Sequence, residues 1–339
     1  MCAHHAPLGA SSERELVTAI GDDTWQIRLP MAGNPLGYVN AYLLADDDGF
    51  ALVDCGWKAD DVLAAVHAGL AACGVSLRDV RRMFVTHFHF DHYGLAGTLL
   101  RAGVPELLMH ARDWRLIARL IDTPDADARA DAWIARNGFA VSQSLDDDVQ
   151  HHRTERTPPT RELGDGERVG RLRVVWTPGH SPGHLCFVDE RSGRMLTGDH
   201  VLDPVTPHVG VWHAEHGDPL GDYIASLRKV RSLGATYVLP AHGEPFADLR
   251  ARADALLAHE ATREEHVLAA LERGSASAGA IARALPWTRR ERSFADLSPA
   301  HRQFAVAETI AHLEHLRVRA AVRAHDDGTT ISYALATER

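Results

Sequence analysis

The stretch VTHFHFDHYGLAG, residues 85–97, follows a short apolar segment and is dense in metal-binding side chains. It places three histidines and an aspartate within six positions: His87, His89, Asp91 and His92. His87 and His89 are two residues apart, so extended backbone would point both to one side, whereas Phe88 and Phe90 turn to the other. The aspartate and the last histidine follow where the chain must bend toward the next helix. Because one ion needs three or four ligands and two ions need more, this stretch predicts only part of a metal site.

Three later motifs offer the remaining ligands. TPGHSPGH offers His180 after the segment RLRVVW, TGDH offers Asp199 after RMLT, and LPAHGEP offers His242 after TYVLP. Each of these residues stands where a predicted strand runs out into a loop, and such positions converge at one end of a sheet. A single histidine in a chain with 22 histidines is usually a surface or core residue. Candidates that recur at strand ends, with turn-forming neighbours, indicate a metal centre instead.

The rest of the chain alternates predicted strands and helices. Short apolar runs bounded by turn residues predict strands, and apolar residues spaced three to four apart predict helices. The predicted strands are 24–30, 38–45, 50–54, 81–86, 106–109, 171–176, 184–189, 194–197 and 236–240. The predicted helices among them are 60–73, 94–102 and 219–233. This alternation indicates an α/β or layered α/β domain.

Two segments depart from the alternation. Residues 112–160 contain helical pieces and then the polar stretch SQSLDDDVQHHRTERTPPT, which is typical of a lid or pocket wall, or else of a surface excursion. The end of the chain has three predicted helices and then a two-stranded ribbon, the order of a winged helix. These helices are predicted at 255–272, 277–285 and 299–316. We therefore expect a catalytic domain over 14–250 and a winged-helix-like domain over 251–339.

Composition and charge limit the partners. The net charge is −10, and 45% apolar and 24% charged residues are typical of a globular protein. Binders of nucleic acid or anionic membranes need basic surface, yet residues 251–339 carry twelve Lys+Arg against twelve Asp+Glu. The chain has neither a run of about 18 apolar residues nor a recognisable signal peptide, and its four cysteines lack CxxC spacing. We expect a cytoplasmic protein with a small-molecule substrate, without nucleic-acid or membrane partners. The C-terminal domain is then a packing or dimerisation module that borders the active site, so a homodimer is one allowed arrangement.

Taken together, the motifs resemble those of the metallo-β-lactamase superfamily. HxHxDH stands complete at residues 87–92, and the PGH, GD and GH motifs follow in order. VDCGW at 53–57 matches an early strand-end aspartate motif, with Cys55 where Thr or Ser is common. The resemblance covers roughly residues 24–248 and implies an α/β fold, a four-layer αβ/βα sandwich. The C-terminal domain resembles, more loosely, an appendage found on one branch of the superfamily.

The resemblance implies a pair of divalent metal ions, with zinc expected and iron or manganese as alternatives. It implies a first metal on His87, His89 and His180. It implies a second metal on Asp91, His92 and His242, with Asp199 as the bridge between the two. It also implies that Asp54 hydrogen-bonds one of the ligand histidines.

This ligand set resembles that of glyoxalase II-like hydrolases, which implies that a hydroxide shared by the metals cleaves a small acyl thioester or ester. His89 stands where the di-iron flavoprotein branch typically has glutamate, and Asp199 stands where the commonest β-lactamases have cysteine. Both of those chemistries are therefore disfavoured. A lactone or a phosphodiester is an alternative substrate. A mononuclear iron persulfide-type dioxygenase is a further alternative, which the complete ligand set disfavours.

Several residues near the ligands are candidates for catalysis or substrate binding. Asp91 is placed to carry a proton, and His200, which follows the bridging aspartate, is a second catalytic candidate. His184 closes the TPGHSPGH turn and is a candidate for contact with substrate. Further candidates of that kind lie in the loop and helix start that follow: His208, Trp212 and Tyr223. The alternative for each is a loop-stabilising or solvent-facing role.

Overall fold

The computed structural model of the chain describes residues 16–123, 125–140, 156–211, 217–288 and 291–336. Its first sheet has seven strands in chain order, antiparallel from β1 to β4 and parallel from β4 to β7. These strands are Val17–Gly21 (β1), Thr24–Pro30 (β2), Tyr38–Asp46 (β3), Gly49–Val53 (β4), Val80–Phe84 (β5), Glu106–His110 (β6) and Arg161–Leu163 (β7). The mixed pattern follows from the connections, because hairpins join the early strands and helical crossovers join the later ones.

The second sheet has five strands in the order β12-β11-β10-β9-β8. These strands are Arg168–Val169 (β8), Leu172–Trp176 (β9), Leu185–Asp189 (β10), Arg194–Gly198 (β11) and Tyr237–Pro240 (β12). All neighbours are antiparallel except β11 and β12, which are joined through a helix and run parallel. The prediction of an α/β fold is thus confirmed, in the form of two mixed sheets.

The inner faces of the two sheets share one apolar core. Tyr42, Leu44 and Phe84 from the first sheet meet Phe187 and Leu196 from the second in a buried cluster. The rings of Phe84 and Phe187 pack edge to face, with centroids 5.3 Å apart. Such pairs add to the stability that burial alone provides. This core holds the strand ends of both sheets in one place.

Helices cover the outer faces of both sheets. They are Asp60–Ala72 (α1), Phe90–Tyr93 (α2), Ala96–Arg101 (α3), Ala111–Asp122 (α4), Ala126–Arg136 (α5), Pro219–Arg231 (α6), Leu249–Leu271 (α7), Ala278–Ala284 (α8) and Pro299–Val318 (α9). Helix α1 buries Val62, Val66 and Leu70 against the first sheet. Helix α6 buries Leu220 and Leu227 against the second sheet. Among the described residues, no helix combines the length and the apolar character needed to cross a bilayer.

The C-terminal segment has the predicted order of elements, with α7, α8 and α9 followed by the hairpin Val322–Asp326 (β13) and Ile331–Leu335 (β14). Helix α7 begins at Leu249 rather than at 255, because the Asp248 carboxylate accepts a hydrogen bond from Ala251 N at 2.9 Å and caps the helix. One hydrophobic cluster joins these helices to α6 and to the outer face of the second sheet. The division into domains at 250 stays a prediction.

The predicted helix near 94–102 corresponds to α3, and a separate short helix, α2, which was not predicted, precedes it after a break. The break lies at Gly94, where a Cβ atom would come within 2.5 Å of Trp57 Cα. The close approach allows Leu95 N to donate to Gly56 O at 3.0 Å. The strands β1, β7 and β8 were not predicted; β7 and β8 have three and two residues, too few to show a periodic pattern. The polar end of the predicted insertion, at 141–155, lies outside the described residues.

Candidate metal centre

The candidate ligands all follow the carboxyl ends of strands, at one edge of the two facing sheets. The stretch with the HxHxDH motif follows β5, His180 follows β9, Asp199 directly follows β11, and His242 follows β12. Backbone hydrogen bonds tie these loops together. Leu185 N donates to Thr86 O at 2.8 Å, and Ala241 N donates to Gly198 O at 3.1 Å. Side chains from separate parts of the sequence therefore meet at one point.

Three histidines form a first group of ligand atoms. His87 Nε2 lies 2.9 Å from His89 Nδ1 and 3.2 Å from His180 Nε2. His180 Nε2 lies 3.0 Å from His89 Nδ1. Three ring nitrogens that face one another at this spacing can hold one cation between them.

Asp91, His92 and His242 form a second group. His242 Nε2 lies 3.3 Å from Asp91 Oδ2, and His92 Nε2 lies 3.5 Å from the same oxygen. Both histidines are almost fully buried, whereas Asp91 is partly exposed. A carboxylate and two imidazoles are a ligand set suited to zinc and to similar divalent ions.

Asp199 lies between the two groups. Its Oδ2 atom is 3.5 Å from His180 Nε2 and 3.6 Å from His92 Nε2, and its Oδ1 atom is 3.5 Å from His242 Nε2. One carboxylate thus faces a nitrogen of the first group and two nitrogens of the second. This is the arrangement required of a ligand that bridges two ions.

In four of the candidate ligand histidines, a hydrogen bond to one ring nitrogen points the other ring nitrogen toward the centre. Each of these rings bonds through Nδ1, which leaves Nε2 for a metal. The partners of Nδ1 are Thr86 Oγ1 for His87 (3.0 Å), Asp54 Oδ2 for His92 (2.8 Å), His208 O for His180 (2.7 Å) and Tyr38 O for His242 (3.0 Å). The ring orientations are therefore set by the fold itself.

Buried polar atoms without partners show that a cation fits this site. His92 Nε2, His242 Nε2 and Asp199 Oδ1 are buried and make no hydrogen bond. A buried polar atom left without a partner costs roughly 1–3 kcal/mol, so such atoms at one point call for an ion. Together with the three facing nitrogens of the first group, they fit a pair of divalent cations.

The electrostatics of the first group favour metal binding. Burial, reinforced by neighbouring histidines, lowers the pKa of His87 and lowers the pKa of His89 to about 3. Burial also lowers the pKa of His180. These three imidazoles are therefore neutral at pH 7, which is the form that binds a cation.

The second group pairs carboxylates with histidines. Burial acts to raise the pKa of Asp91 and Asp199, but the surrounding histidines outweigh it and lower both pKa values. At His92 burial acts to lower the pKa, and the nearby carboxylates outweigh it, so this pKa is raised. The two carboxylates are thus ionised at neutral pH, and the proton on His92 is one that a cation would displace.

Asp54 fixes the start of the HxHxDH loop. Its Oδ1 atom accepts from Thr86 N at 2.8 Å, while Oδ2 accepts from Thr86 Oγ1 at 2.9 Å and bonds His92 Nδ1 at 2.8 Å. Its backbone has φ of 61°, a left-handed conformation that asparagine also tolerates. The predicted contact between Asp54 and a candidate ligand histidine is therefore present.

We expect Asp54→Asn to weaken metal binding and turnover by about 10–100-fold, the usual effect of losing a residue that orients a ligand. Asparagine keeps the shape and the backbone conformation but cannot accept hydrogen bonds at both side-chain atoms. Zinc affinity by chelator competition, and the initial rate with any substrate that the protein turns over, would measure the loss. The exposed Asp61, changed to asparagine, is the control. Wild-type affinity in Asp54→Asn would contradict this role.

The other predicted site residues lie at different depths. The side chain of His184 has no exposed surface. Its Nδ1 atom bonds Thr177 Oγ1 at 2.8 Å, and its Nε2 atom accepts from Asp199 N at 3.2 Å. Tyr223 is also fully buried, with its hydroxyl donating to His200 O at 3.2 Å. Neither side chain reaches a surface where substrate could bind, so the structure gives no support to their predicted contact with substrate. Both instead hold the segment around the candidate bridging carboxylate.

His200 and His208 also lie at different depths below the surface. The His200 side chain is fully buried, its ring packs against Tyr223 with centroids 5.1 Å apart, and burial lowers its pKa to about 3. In that position the ring packs beneath the loop, and the catalytic role of His200 stays a prediction. His208 is half-buried and its carbonyl holds His180. Trp212 lies outside the described residues.

Two supporting residues were missed by the sequence analysis. Asn40 donates from Nδ2 to Pro240 O at 3.0 Å and to Gly243 O at 2.8 Å, and so clamps the loop that carries His242. A polar residue inside the apolar strand YVNAYLL was the signal that could have found it. Asp113, on α4, is fully buried and bonds two ligand-bearing loops. No motif marks it, because its partners are remote in sequence.

Comparison with known proteins agrees with this geometry. The model of the family described as Metallo-beta-lactamase superfamily matches residues 34–242. The Probable metallo-hydrolase YqjP of Bacillus subtilis (strain 168) is 27% identical over 338 residues, which cover 92% of this chain and 98% of that protein. A crystal structure of a metallo-beta-lactamase family protein from Thermus thermophilus superposes with a TM-score of 0.79 at 33% identity, over 94% of this chain and 100% of that one.

A more distant relative has a named activity. The Atrochrysone carboxyl ACP thioesterase of Emericella nidulans is 30% identical over 69% of this chain, which spans 61% of that protein's length. The range matched by the family model, 34–242, contains all the candidate ligands described above. The chain therefore belongs to the metallo-beta-lactamase superfamily and is a hydrolase of that fold.

Proposed function

We propose that this protein is a dinuclear metal-dependent hydrolase that cleaves a small acyl thioester or ester. The placement of Asp199 carries the proposal, because its two oxygens face nitrogens of both histidine groups at 3.5–3.6 Å. A mononuclear iron dioxygenase needs two histidines and one carboxylate, and so would not need the second group of Asp91, His92 and His242. We propose zinc as the metal, with iron or manganese as alternatives that the same ligands accept.

Bound divalent cations would supply an activated water at neutral pH and polarise the scissile carbonyl. The residues of this chain would hold the cations, leave one side of the site open to substrate and accept the proton that the water releases. His89, Asp91 and His180 are the partly exposed members, so substrate approaches on their side. Asp91 is ionised, since neighbouring histidines lower its pKa despite burial, and it can accept the proton that the attacking water releases.

The C-terminal segment reaches the rim of the site through Phe304, which contacts His208. The His208 carbonyl holds His180, and its Nε2 lies 3.1 Å from Phe304 O on α9. The Phe304 ring packs 5.0 Å from the His208 ring and keeps 37% of its surface exposed. We propose that this exposed ring forms one wall of the acyl-binding pocket, and that residues 251–339 form a winged-helix-like domain that borders the active site.

We expect Phe304→Ala to lower kcat/KM for long acyl chains by about 10-fold, mainly through KM, because burying part of a phenylalanine contributes roughly 1–2 kcal/mol. Acetyl substrates should change little. Val318→Ala is the matched control, since Val318 is 59% exposed at the other end of the same helix. An equal loss for short and long acyl groups would contradict the pocket-wall role.

The choice of thioester is supported by the named activity of the Emericella nidulans relative and by the ligand set. The test is a hydrolysis screen of zinc-loaded protein over acyl thioesters on glutathione, coenzyme A and carrier protein, with a homoserine lactone and a phosphodiester in parallel. The highest kcat/KM is expected for a thioester. A preference for the lactone or the phosphodiester would move the proposal to that bond.

The proposal also covers partners and compartment. A net charge of −10 supports a small-molecule substrate rather than nucleic acid or an anionic membrane. We further propose a cytoplasmic enzyme, since Cys55, Cys73 and Cys186 are free thiols. A homodimer through the C-terminal segment is one arrangement that sedimentation would test.

A further inference from the structure

The carboxylate of Asp113 joins two ligand-bearing loops. Its Oδ2 atom accepts from Phe88 N at 3.0 Å and from Ser181 Oγ at 2.8 Å, and its Oδ1 atom accepts from Gly183 N at 2.6 Å. The side chain has no exposed surface. It lies in the first turn of α4, where the helix dipole favours a negative charge.

Two of the three partners of Asp113 are immediate neighbours of candidate metal ligands. Phe88 stands between His87 and His89, and Ser181 follows His180. The three ligands of the first group therefore come from two loops that share a single carboxylate. A small shift of either loop would separate ring nitrogens that now lie 2.9–3.2 Å apart.

Each side-chain oxygen of Asp113 faces a backbone N–H, Phe88 N at Oδ2 and Gly183 N at Oδ1. The site therefore needs an acceptor at both positions, which a carboxyl group supplies. Asparagine would place an amide N–H against a donor, which leaves one buried group without a partner. Gly183 is fitted to the same contact, because a Cβ atom there would lie 2.7 Å from Asp113 Oδ1.

The second group is supported by other residues. Asp54 orients His92, and Tyr38 O and Asn40 hold His242 and its loop. Within the described residues, no hydrogen bond of Asp113 reaches Asp91, His92 or His242 themselves. The contacts of Asp113 therefore hold the backbone beside the first group, whereas the histidines of the second group have orienting contacts of their own.

We propose that Asp113 is a positioning residue that fixes the HxHxDH and TPGHSPGH loops relative to each other and so sets the affinity of the His87–His89–His180 group for its cation. The proposal rests on the proposed dinuclear centre. It assigns a role to the helix α4, at the start of the predicted insertion, that does not depend on contact with substrate.

The test is zinc binding by the full-length protein, measured by competition with a chelator. Asp113→Asn is expected to weaken the binding of one of the two zinc ions by about 10–100-fold. The affinity for the other ion should stay within about two-fold of wild type. Asp61→Asn, which removes an exposed acid from the first turn of α1, should bind both ions normally. A double-mutant cycle identifies which ion is affected. Combined with His180→Ala, which disrupts the first group, Asp113→Asn should cause no further loss of zinc affinity. Combined with His242→Ala, it should weaken the binding of the remaining ion.

Ser181→Ala keeps the test valid if Asp113→Asn does not fold. It removes one of the three hydrogen bonds of Asp113 and should lower the affinity for the same ion by about five-fold. Wild-type affinity for both ions in these variants, or an equal loss for both, would overturn the proposal. Wild-type protein that binds two zinc ions but hydrolyses no acyl compound would contradict the proposed function and leave this inference standing.

Discussion

Replacing Asp199 with asparagine is expected to lower turnover by at least about 10³-fold, because this carboxylate faces both groups of ligands. The neutral amide presents one oxygen where the carboxylate presents two, and its nitrogen would face a ring of the opposite group. We also expect one bound ion to be lost. Steady-state rates and elemental analysis of the purified variant would measure both effects.

The control for Asp199→Asn is Glu190→Gln, which changes an exposed carboxylate at the end of the same sheet. It should retain two ions and wild-type turnover. If Asp199→Asn kept both ions and more than a tenth of the wild-type rate, the bridging role of Asp199 would be wrong.

Removal of the metal is the second prediction with a large effect. A chelator should abolish hydrolysis, and about two equivalents of zinc should restore it, since no seryl or cysteinyl nucleophile is proposed for the reaction. Burial raises the pKa of the Cys186 thiol to about 12 and also raises that of Cys55, so neither supplies a thiolate at pH 7.

Zinc should also stabilise the fold. Zinc at 100 times its dissociation constant adds about 2.7 kcal/mol for each ion to the free energy of unfolding, if the unfolded chain does not bind it. Urea unfolding with and without zinc would show the difference, and chelator saturated with zinc beforehand is the control. Full activity in protein shown to be free of metal would contradict the account.

The sequence was most informative where a local pattern fixes a local structure. Strands such as β2 and β3 are long enough for their apolar residues to mark them, and the turn residues beside them set their ends. Strands of two or three residues, such as β7 and β8, carry no pattern and form because a neighbouring strand pairs with them. Helix α7 began earlier than expected because a capping residue, and not an apolar stripe, defines its start.

The same distinction applies to the site. Histidines and aspartates in turn motifs at strand ends could be identified as candidate ligands, and the structure brings all of them together. Supporting contacts that use backbone atoms, such as His208 O and Tyr38 O, leave no trace in residue type. Asp113 needed the tertiary structure, since its partners Phe88 and Ser181 are 25 and 68 residues away. Burial of His184 and Tyr223 was equally hidden, because neither the turn motif of His184 nor the start of α6 shows which polar rings face inward.

Anomalous diffraction from crystals of the zinc-loaded protein, collected on both sides of the zinc absorption edge, would locate the metal directly. We expect two peaks about 3.5–4 Å apart. One should lie among His87, His89 and His180, the other among Asp91, His92 and His242, with Asp199 in contact with both. A single peak at full zinc occupancy, or two peaks with Asp199 bound to neither, would contradict a dinuclear centre bridged by this carboxylate.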